Sequence, residues 1–270
     1  MKHQRVLLIL LLLTFTTALL AQSKPAVVAH RGGAKEFTEN TIEAFQRAAH
    51  IGAAAIETDI RLTKDGVVVI YHDDNVGRVE GMPFGTKGPL VAEVNYAEMA
   101  AKSLKPVGED KGGRKVPTFK DVLDKVPTVL LNVELKRCPR FAELVDKTIA
   151  LLKNHPAFDR VVLEAPDLAT AEKLREGLGN KLKLHINPGY DSSVPYDEAV
   201  KKVIAFKPHS LSISYKKLSW EIVDLAHKGG VEVWVWTVDD SGIAQAAALL
   251  GADAIKTDKP TMLLEMFGKK

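Results

Sequence analysis

The chain has 270 residues, 46% of them hydrophobic and 26% charged, with a formal net charge of +3. That balance is globular and excludes a disordered polyelectrolyte; without Lys2 and Arg5 the charge falls to +1, so nothing supports a nucleic-acid partner. Cys138 is the only cysteine, which excludes an internal disulfide and leaves packing as its role.

In chain order, Lys2 and Arg5 precede an unbroken apolar run over residues 6–13, followed by small and polar residues up to Ala21-Gln22. This is the layout of a secretory signal peptide over residues 1–21, and it predicts an exported protein, periplasmic or secreted. At 1.5 Å per residue the run is too short to span a hydrocarbon layer of roughly 30 Å, and no second such run follows. No stable membrane insertion is therefore expected after signal removal; an uncleaved N-terminal anchor is the alternative. No cysteine follows the run to carry a lipid.

From residue 26 onward, short β-branched runs alternate with longer amphipathic ones, which predicts an α/β fold with a parallel sheet. Strands are expected over 26–30, 55–60, 128–135, 160–164, 181–186, 209–213, 231–237 and 253–257. Eight parallel strands with helices between them make a TIM (β/α)8 barrel. The helix expected over 41–50 carries Ile42, Phe45 and Ala49 on one stripe and Glu43, Arg47 and His50 on the other. Asn40 reads as its N-cap, with Glu43 in the capping-box position.

A ninth apolar run, 67–71, follows Thr63-Lys64-Asp65-Gly66, a tight-turn sequence that joins antiparallel strands. The strand through Asp59 is therefore expected to reverse at Asp65-Gly66 and return to the barrel mouth, bringing His72 beside Asp59. Residues 77–116 hold many Gly, Pro, Lys and Glu with a weak helical patch over 94–104. They read as a small insertion over the C-terminal mouth, too short to fold alone. No tandem repeat appears, so residues 24–270 read as one domain.

In a parallel barrel the active site lies at the carboxyl ends of the strands. His30-Arg31 ends the first, Glu57 and Asp59 sit late in the second, His72 follows the hairpin, and Glu134 and Lys136 end the third. Glu57 and Asp59 are two apart, so on a strand both face the same way and repel unless a cation lies between them. Glu57, Asp59 and Glu134 are hard oxygen donors, suited to Mg²⁺ or Ca²⁺ rather than Zn²⁺. Imidazoles titrate near neutrality, so His30 and His72 suit an acid and base pair. Arg31 and Lys136 add cations for an anionic substrate, Arg as a fork and Lys as a point charge. The set describes phosphoryl transfer assisted by one metal.

His30-Arg31-Gly32, Glu39-Asn40-Thr41, Glu57-Thr58-Asp59, Lys64-Asp65-Gly66, His72-Asp73 with Arg78, and Val133-Glu134-Leu135-Lys136 follow in order. With Val116-Pro117-Thr118-Phe119, residues 234–238 and Thr257-Asp258-Lys259-Pro260, this series resembles the glycerophosphodiester phosphodiesterase family over essentially the whole chain after the signal. The resemblance implies hydrolysis of a glycerophosphodiester to glycerol 3-phosphate and an alcohol. It implies Mg²⁺ or Ca²⁺ held by Glu57, Asp59 and Glu134, His30 and His72 as base and acid, and Arg31 and Lys136 as phosphate contacts. Attack by the neighbouring glycerol hydroxyl, giving a cyclic phosphate that water opens, is the route such enzymes suggest, with His72 as acid to the leaving alcohol. Trp236, near the end of its strand, offers an apolar wall to the glycerol carbons. Thr38 stands where family members often carry Pro, and Val79-Glu80 follows Arg78 where Thr is common.

Two rival readings share these residues: a related barrel enzyme acting on a lysophospholipid or sugar phosphodiester, and an exported protein that binds phosphodiesters without cleaving them. The sparse apolar content of 77–116 favours soluble headgroup diesters over a membrane substrate, and the presence of both histidines favours an enzyme.

Overall fold

A computed structural model describes residues 24–268 apart from 84, 127, 128 and 191. The expected signal peptide therefore lies outside the described residues, as does Thr128 at the start of one expected strand. Strand β1 (Ala26–His30) is followed by α1 (Ile42–Ile51), β2 (Ala55–Leu62) and β3 (Val68–Ile70). After a long connection with the short helix α2 (Tyr96–Ala101) come α3 (Phe119–Lys125), β4 (Leu130–Leu135), α4 (Phe141–Leu152), β5 (Val161–Ala165) and α5 (Leu168–Leu178). The chain closes with β6 (Lys183–Ile186), α6 (Tyr196–Ala205), β7 (Ser210–Ser214), α7 (Trp220–Lys228), β8 (Glu232–Trp236), α8 (Ser241–Leu249), β9 (Ala254–Thr257) and α9 (Pro260–Phe267). Among the described residues no helix is long and apolar enough to cross a membrane.

Eight strands pair in parallel in the order β1-β2-β4-β5-β6-β7-β8-β9, and β9 pairs back onto β1, closing a TIM barrel. The hairpin signalled by Asp65-Gly66 forms as expected. β2 uses one edge for β1 up to Glu57 and for antiparallel β3 from Ile60 onward. Gly66 takes the left-handed backbone (φ 77°) that the turn needs, and Thr63 N–H donates to Val67 O at 3.0 Å. The antiparallel strand thus rises above the barrel rim without breaking closure.

Residue alternation splits each strand between two environments. On β2, Ile56, Ile60 and Leu62 belong to the large core between barrel and helices, and Ala55 joins Val28, Val162, Trp234 and Ala254 in an apolar plug inside the barrel. Phe45 from α1 and Phe119 from α3 are fully buried in the outer core. Each such ring contributes about 1.5–3 kcal/mol by leaving water. Above the plug the interior turns polar: Glu57, Asp59, Asn132, Glu164, His185, Ser212 and Lys256 are all buried. Polar groups there are costly to stability alone and mark the end of the barrel that does chemistry.

Two local expectations are corrected. Thr41, not Asn40, caps α1, its hydroxyl accepting from Ala44 N–H at 3.2 Å. Asn40 sits at φ 56° with its side chain turned to the barrel, and Glu43 pairs with Arg114 instead of closing a capping box. The long connection carries its own apolar cluster, with Val76, Val91, Val94, Met99, Leu104 and Val116 packed on Val69 and Tyr71. The helical patch expected over 94–104 is the single short α2.

Arg31, Gly32 and Gly33 take positive φ in succession (52°, 84° and 99°), turning the chain sharply at the rim. A Cβ on Gly32 would lie 2.8 Å from the Ala44 Cβ. Gly32→Ala is therefore expected to lose about 1–3 kcal/mol, from strain and from displacing α1; a urea midpoint equal to that of the parent would show that the turn tolerates a side chain.

Candidate active site

Each candidate comes from a different strand end, and the barrel brings them together. Asp59 and Glu134 are register partners on β2 and β4, and Glu57 lies one inward position below Asp59. One carboxylate oxygen from each of Glu57, Asp59 and Glu134 lies within 4.8 Å of the others. Glu57 Oε2 accepts from Arg31 N–H at 3.1 Å, a bond that the left-handed turn at Arg31 aims. Asp59 Oδ2 accepts from Asn40 Nδ2 at 2.9 Å, and Asn40 Oδ1 accepts from the Thr58 hydroxyl at 2.9 Å. Asn40 therefore locks the loop after β1 onto β2, a role the sequence reading gave to helix capping.

Charge crowding defines this cluster. Burial, the neighbouring Glu164 and the two other carboxylates push the Glu134 carboxyl up to about 7, against the pull of Lys136. Asp59 is the converse case: burial would raise it, but Lys136, His72 and Arg31 hold it below the usual carboxylate range. The Lys136 ammonium lies 2.8 Å from Glu134 Oε1 and 3.0 Å from Asp59 Oδ1. The second contact lacks hydrogen-bond geometry, so Asp59 Oδ1 is buried without a hydrogen-bond partner. A buried, orphaned carboxylate oxygen facing two more carboxylates fits a divalent cation with oxygen preference, and the donor set contains no sulfur or nitrogen.

The two histidines reach this cluster from separate loops. His30 Nδ1 is 2.6 Å from Asp258 Oδ1, and its Nε2 is 3.7 Å from Glu57 Oε2. Burial alone depresses an imidazole, but Glu57 and the hydrogen bond to Asp258 outweigh it and leave His30 more basic than a free histidine. His72 follows β3, and its Nδ1 is 2.8 Å from Asp73 Oδ1. Arg78 ties Asp73 to Glu39 through bonds of 2.5, 2.9 and 2.7 Å, and Arg61 holds the His72 carbonyl with two more at 2.9 and 2.6 Å. Each ring thus has a carboxylate fixing one nitrogen and leaves the other toward the site.

His30, Glu57, His72, Glu134, Lys136 and Trp236 line one cavity of about 230 Å³, and Arg31 lies on its wall. All the expected residues but Asp59, which lies sealed beneath the surface, meet in this one space. The Arg31 guanidinium is engaged with Glu39 at 3.2 Å and stands 3.5 Å from Asp59. A neighbouring groove of about 500 Å³ shares His72 and Lys136 and runs out between Arg78, Met82 and Lys87.

Three groups escaped the sequence reading. Asp258 was visible only as part of the closing Thr257-Asp258-Lys259-Pro260, although its place after the last strand is the signal that finds it. Glu164 and Lys256 face each other across the barrel from β5 and β9, with Lys256 Nζ donating to Glu164 Oε2 at 2.7 Å. Burial by itself raises a carboxyl, but Lys256 outweighs it and holds Glu164 low, while burial drives nearby His185 down to about 3. The folded-state depression gives a sign: stability from Glu164 is present above the unfolded carboxyl pKa of about 4.3 and is lost as pH falls below it. Acid titration followed by circular dichroism should therefore show a shallower stability loss below pH 4 in a Glu164→Gln/Lys256→Met variant; identical slopes would remove the pair from acid sensitivity.

A family model described as the glycerophosphoryl diester phosphodiesterase family matches residues 30–262. A glycerophosphodiester phosphodiesterase of Caldanaerobacter subterraneus is 29% identical over 249 residues, covering 91% of this chain and 99% of that one. The crystal structure of a glycerophosphoryl diester phosphodiesterase from Silicibacter pomeroyi superposes with a TM-score of 0.78 at 25% identity, over 90% of this chain and 94% of that one. An Oleispira antarctica phosphodiesterase solved with its product sn-glycerol-3-phosphate shares the fold at a TM-score of 0.72 and 24% identity, over 89% and 96% of the two chains. With a family match running from the first strand end into the last helix, the chain belongs to the glycerophosphoryl diester phosphodiesterase family.

Proposed function

We propose that this barrel hydrolyses a glycerophosphodiester to glycerol 3-phosphate and an alcohol, with His30 and His72 as the proton-transfer pair and Glu57, Asp59 and Glu134 as the metal ligands. The observation that carries the reading is that both histidines, Glu57 and Glu134 line one cavity of about 230 Å³, with Asp59 buried beside the other two carboxylates. Product capture by the Oleispira antarctica relative supports the glycerol 3-phosphate assignment. A divalent cation, Mg²⁺ or Ca²⁺, would polarise a phosphoryl oxygen and offset the charge of the carboxylates.

The chain's own groups supply the rest. His30, made more basic by Glu57 and held by Asp258, takes the proton of the glycerol hydroxyl next to the phosphate, whose attack gives a cyclic phosphate. His72, fixed through Asp73, delivers a proton to the leaving alcohol, which departs into the groove that His72 shares. With the roles reversed, His72 activates water and His30 protonates the glycerol oxygen as the ring opens. Lys136 and Arg31 balance the phosphate charge from either side, and Trp236 supplies the apolar wall for the glycerol carbons.

Among the described residues of the long connection, only Met82 and Val107 are exposed large hydrophobics, at 41% and 37%. So little apolar surface supports soluble headgroup diesters over lysophospholipids in a membrane. Export, in the periplasm or outside, remains part of the proposal and rests on the N-terminal sequence. Glycerophosphocholine assayed with and without EDTA tests the reading: release of glycerol 3-phosphate that stops with EDTA and returns with Mg²⁺ or Ca²⁺ is expected. Tight binding with no turnover would make the protein a binder instead.

A further inference from the structure

The reaction leaves part of the cavity wall unassigned, and that part begins beside the carboxylate cluster, where Glu164 is the register partner of Glu134 on the next strand. Glu164, Asn187, Ser212 and Lys256 line it beside Trp236. Glu164 and Lys256 are 7% and 3% exposed and bonded to each other across the barrel at 2.7 Å. Buried ion pairs do little for stability, because desolvating both charges offsets their attraction. A pair placed in the wall of a reaction cavity therefore invites a functional reason. Two further polar atoms strengthen it: Trp236 Nε1 is buried with no hydrogen-bond partner, and the buried Ser212 hydroxyl stands beside the Glu164 carboxylate. The wall thus carries a carboxylate that accepts, an ammonium that donates, a buried hydroxyl and an unpaired indole N–H.

A lone hydroxyl group matches this set, since it donates one hydrogen bond and accepts another. Resting on the hydrolytic reading above, the assignment follows from reach. The phosphate and the hydroxyl beside it must lie against His30, His72 and the carboxylates, so the terminal hydroxyl of the glycerol arm is the group left to meet the adjoining part of the wall that these groups do not occupy. We propose that Glu164 and Lys256 form a specificity-determining site that holds the terminal hydroxyl of glycerol, donating from Lys256 and accepting at Glu164. The pair also keeps Glu164 from joining the nearby Glu134 as a fourth free carboxylate. A site built to bind a hydroxyl leaves its charges unsolvated when that hydroxyl is missing, which penalises the analogue strongly.

The test compares glycero-3-phospho-p-nitrophenol with the analogue whose terminal CH2OH is CH3. Both keep the attacking hydroxyl and the same leaving group. Wild-type enzyme is expected to prefer the glycerol substrate by about 10²-fold or more in kcat/KM. The Glu164→Leu/Lys256→Met variant, which removes both charges at similar volume, should bring the two substrates within about five-fold of each other. A merely structural pair would lower both rates together and leave the preference intact, which would overturn the proposal. Equal cleavage of both substrates by the wild type would overturn it while leaving hydrolysis standing; cleavage of neither would instead strike the proposed function itself. Should the double variant fail to melt cooperatively, Glu164→Gln is read in its place: a preference reduced about ten-fold supports the site, and an unchanged preference rejects it.

Discussion

His72→Ala is expected to lower kcat by about 10² or more while leaving divalent-metal affinity nearly unchanged. The ring is no ligand of the carboxylate cluster: its Nδ1 is occupied by Asp73, and its backbone is fixed independently by Arg61. Loss of the imidazole therefore removes the acid of the first step and the base of the second, and leaves the metal ligands in place. Substrate choice sharpens the measurement. With a p-nitrophenyl diester, whose leaving group departs without protonation, the first step should recover much of the lost rate. Wild-type turnover of glycerophosphocholine by His72→Ala would remove the residue from the mechanism. An equal deficit in the first step on both substrates would move it from acid to a different role. His30→Ala should show no such recovery, because the base is needed whichever group leaves.

The second large effect concerns the carboxylates. Glu57→Gln keeps the shape of the side chain and its acceptance of Arg31 N–H, yet removes one negative charge from the cluster. It should act mainly by raising the metal concentration needed for half-maximal rate, with much of the rate recovered at saturation. Asp59→Asn should be harsher. Its carboxylate is fully buried, held by Asn40, and presents the one orphaned oxygen of the cluster. An amide there puts a donor where a cation would sit, beside the ammonium of Lys136. Rate against metal concentration separates the two variants, and a Glu57→Gln enzyme with an unaltered metal requirement would exclude Glu57 from the ligand set.

Much of the architecture is legible in the linear chain because its signals are local. β-branched runs bounded by turns mark the eight barrel strands to within a few residues, and Asp65-Gly66 marks the extra antiparallel strand. The ligand candidates are legible for the same reason. Glu57 and Asp59 share a face through the two-residue repeat of a strand, and Glu134 lies at the matching height on the next parallel strand. What escapes is whatever depends on closure. Asp258 reaches His30 only because β9 pairs with β1, across 228 residues of sequence. Glu164 and Lys256 lie within expected strands, and nothing in the linear chain pairs them until the barrel places them face to face. Asn40 looks like a helix cap because capping and carboxylate binding use the same side-chain chemistry, and only the left-handed backbone at that residue tells them apart.

Calorimetric titration of EDTA-stripped protein with Mg²⁺ and with Ca²⁺ probes the cluster directly, without substrate. One divalent ion per chain is expected for the wild type, with the heat of binding abolished in Glu57→Gln/Asp59→Asn and retained in His72→Ala. Equal stoichiometry and affinity in the double carboxylate variant would place the metal elsewhere and contradict the site.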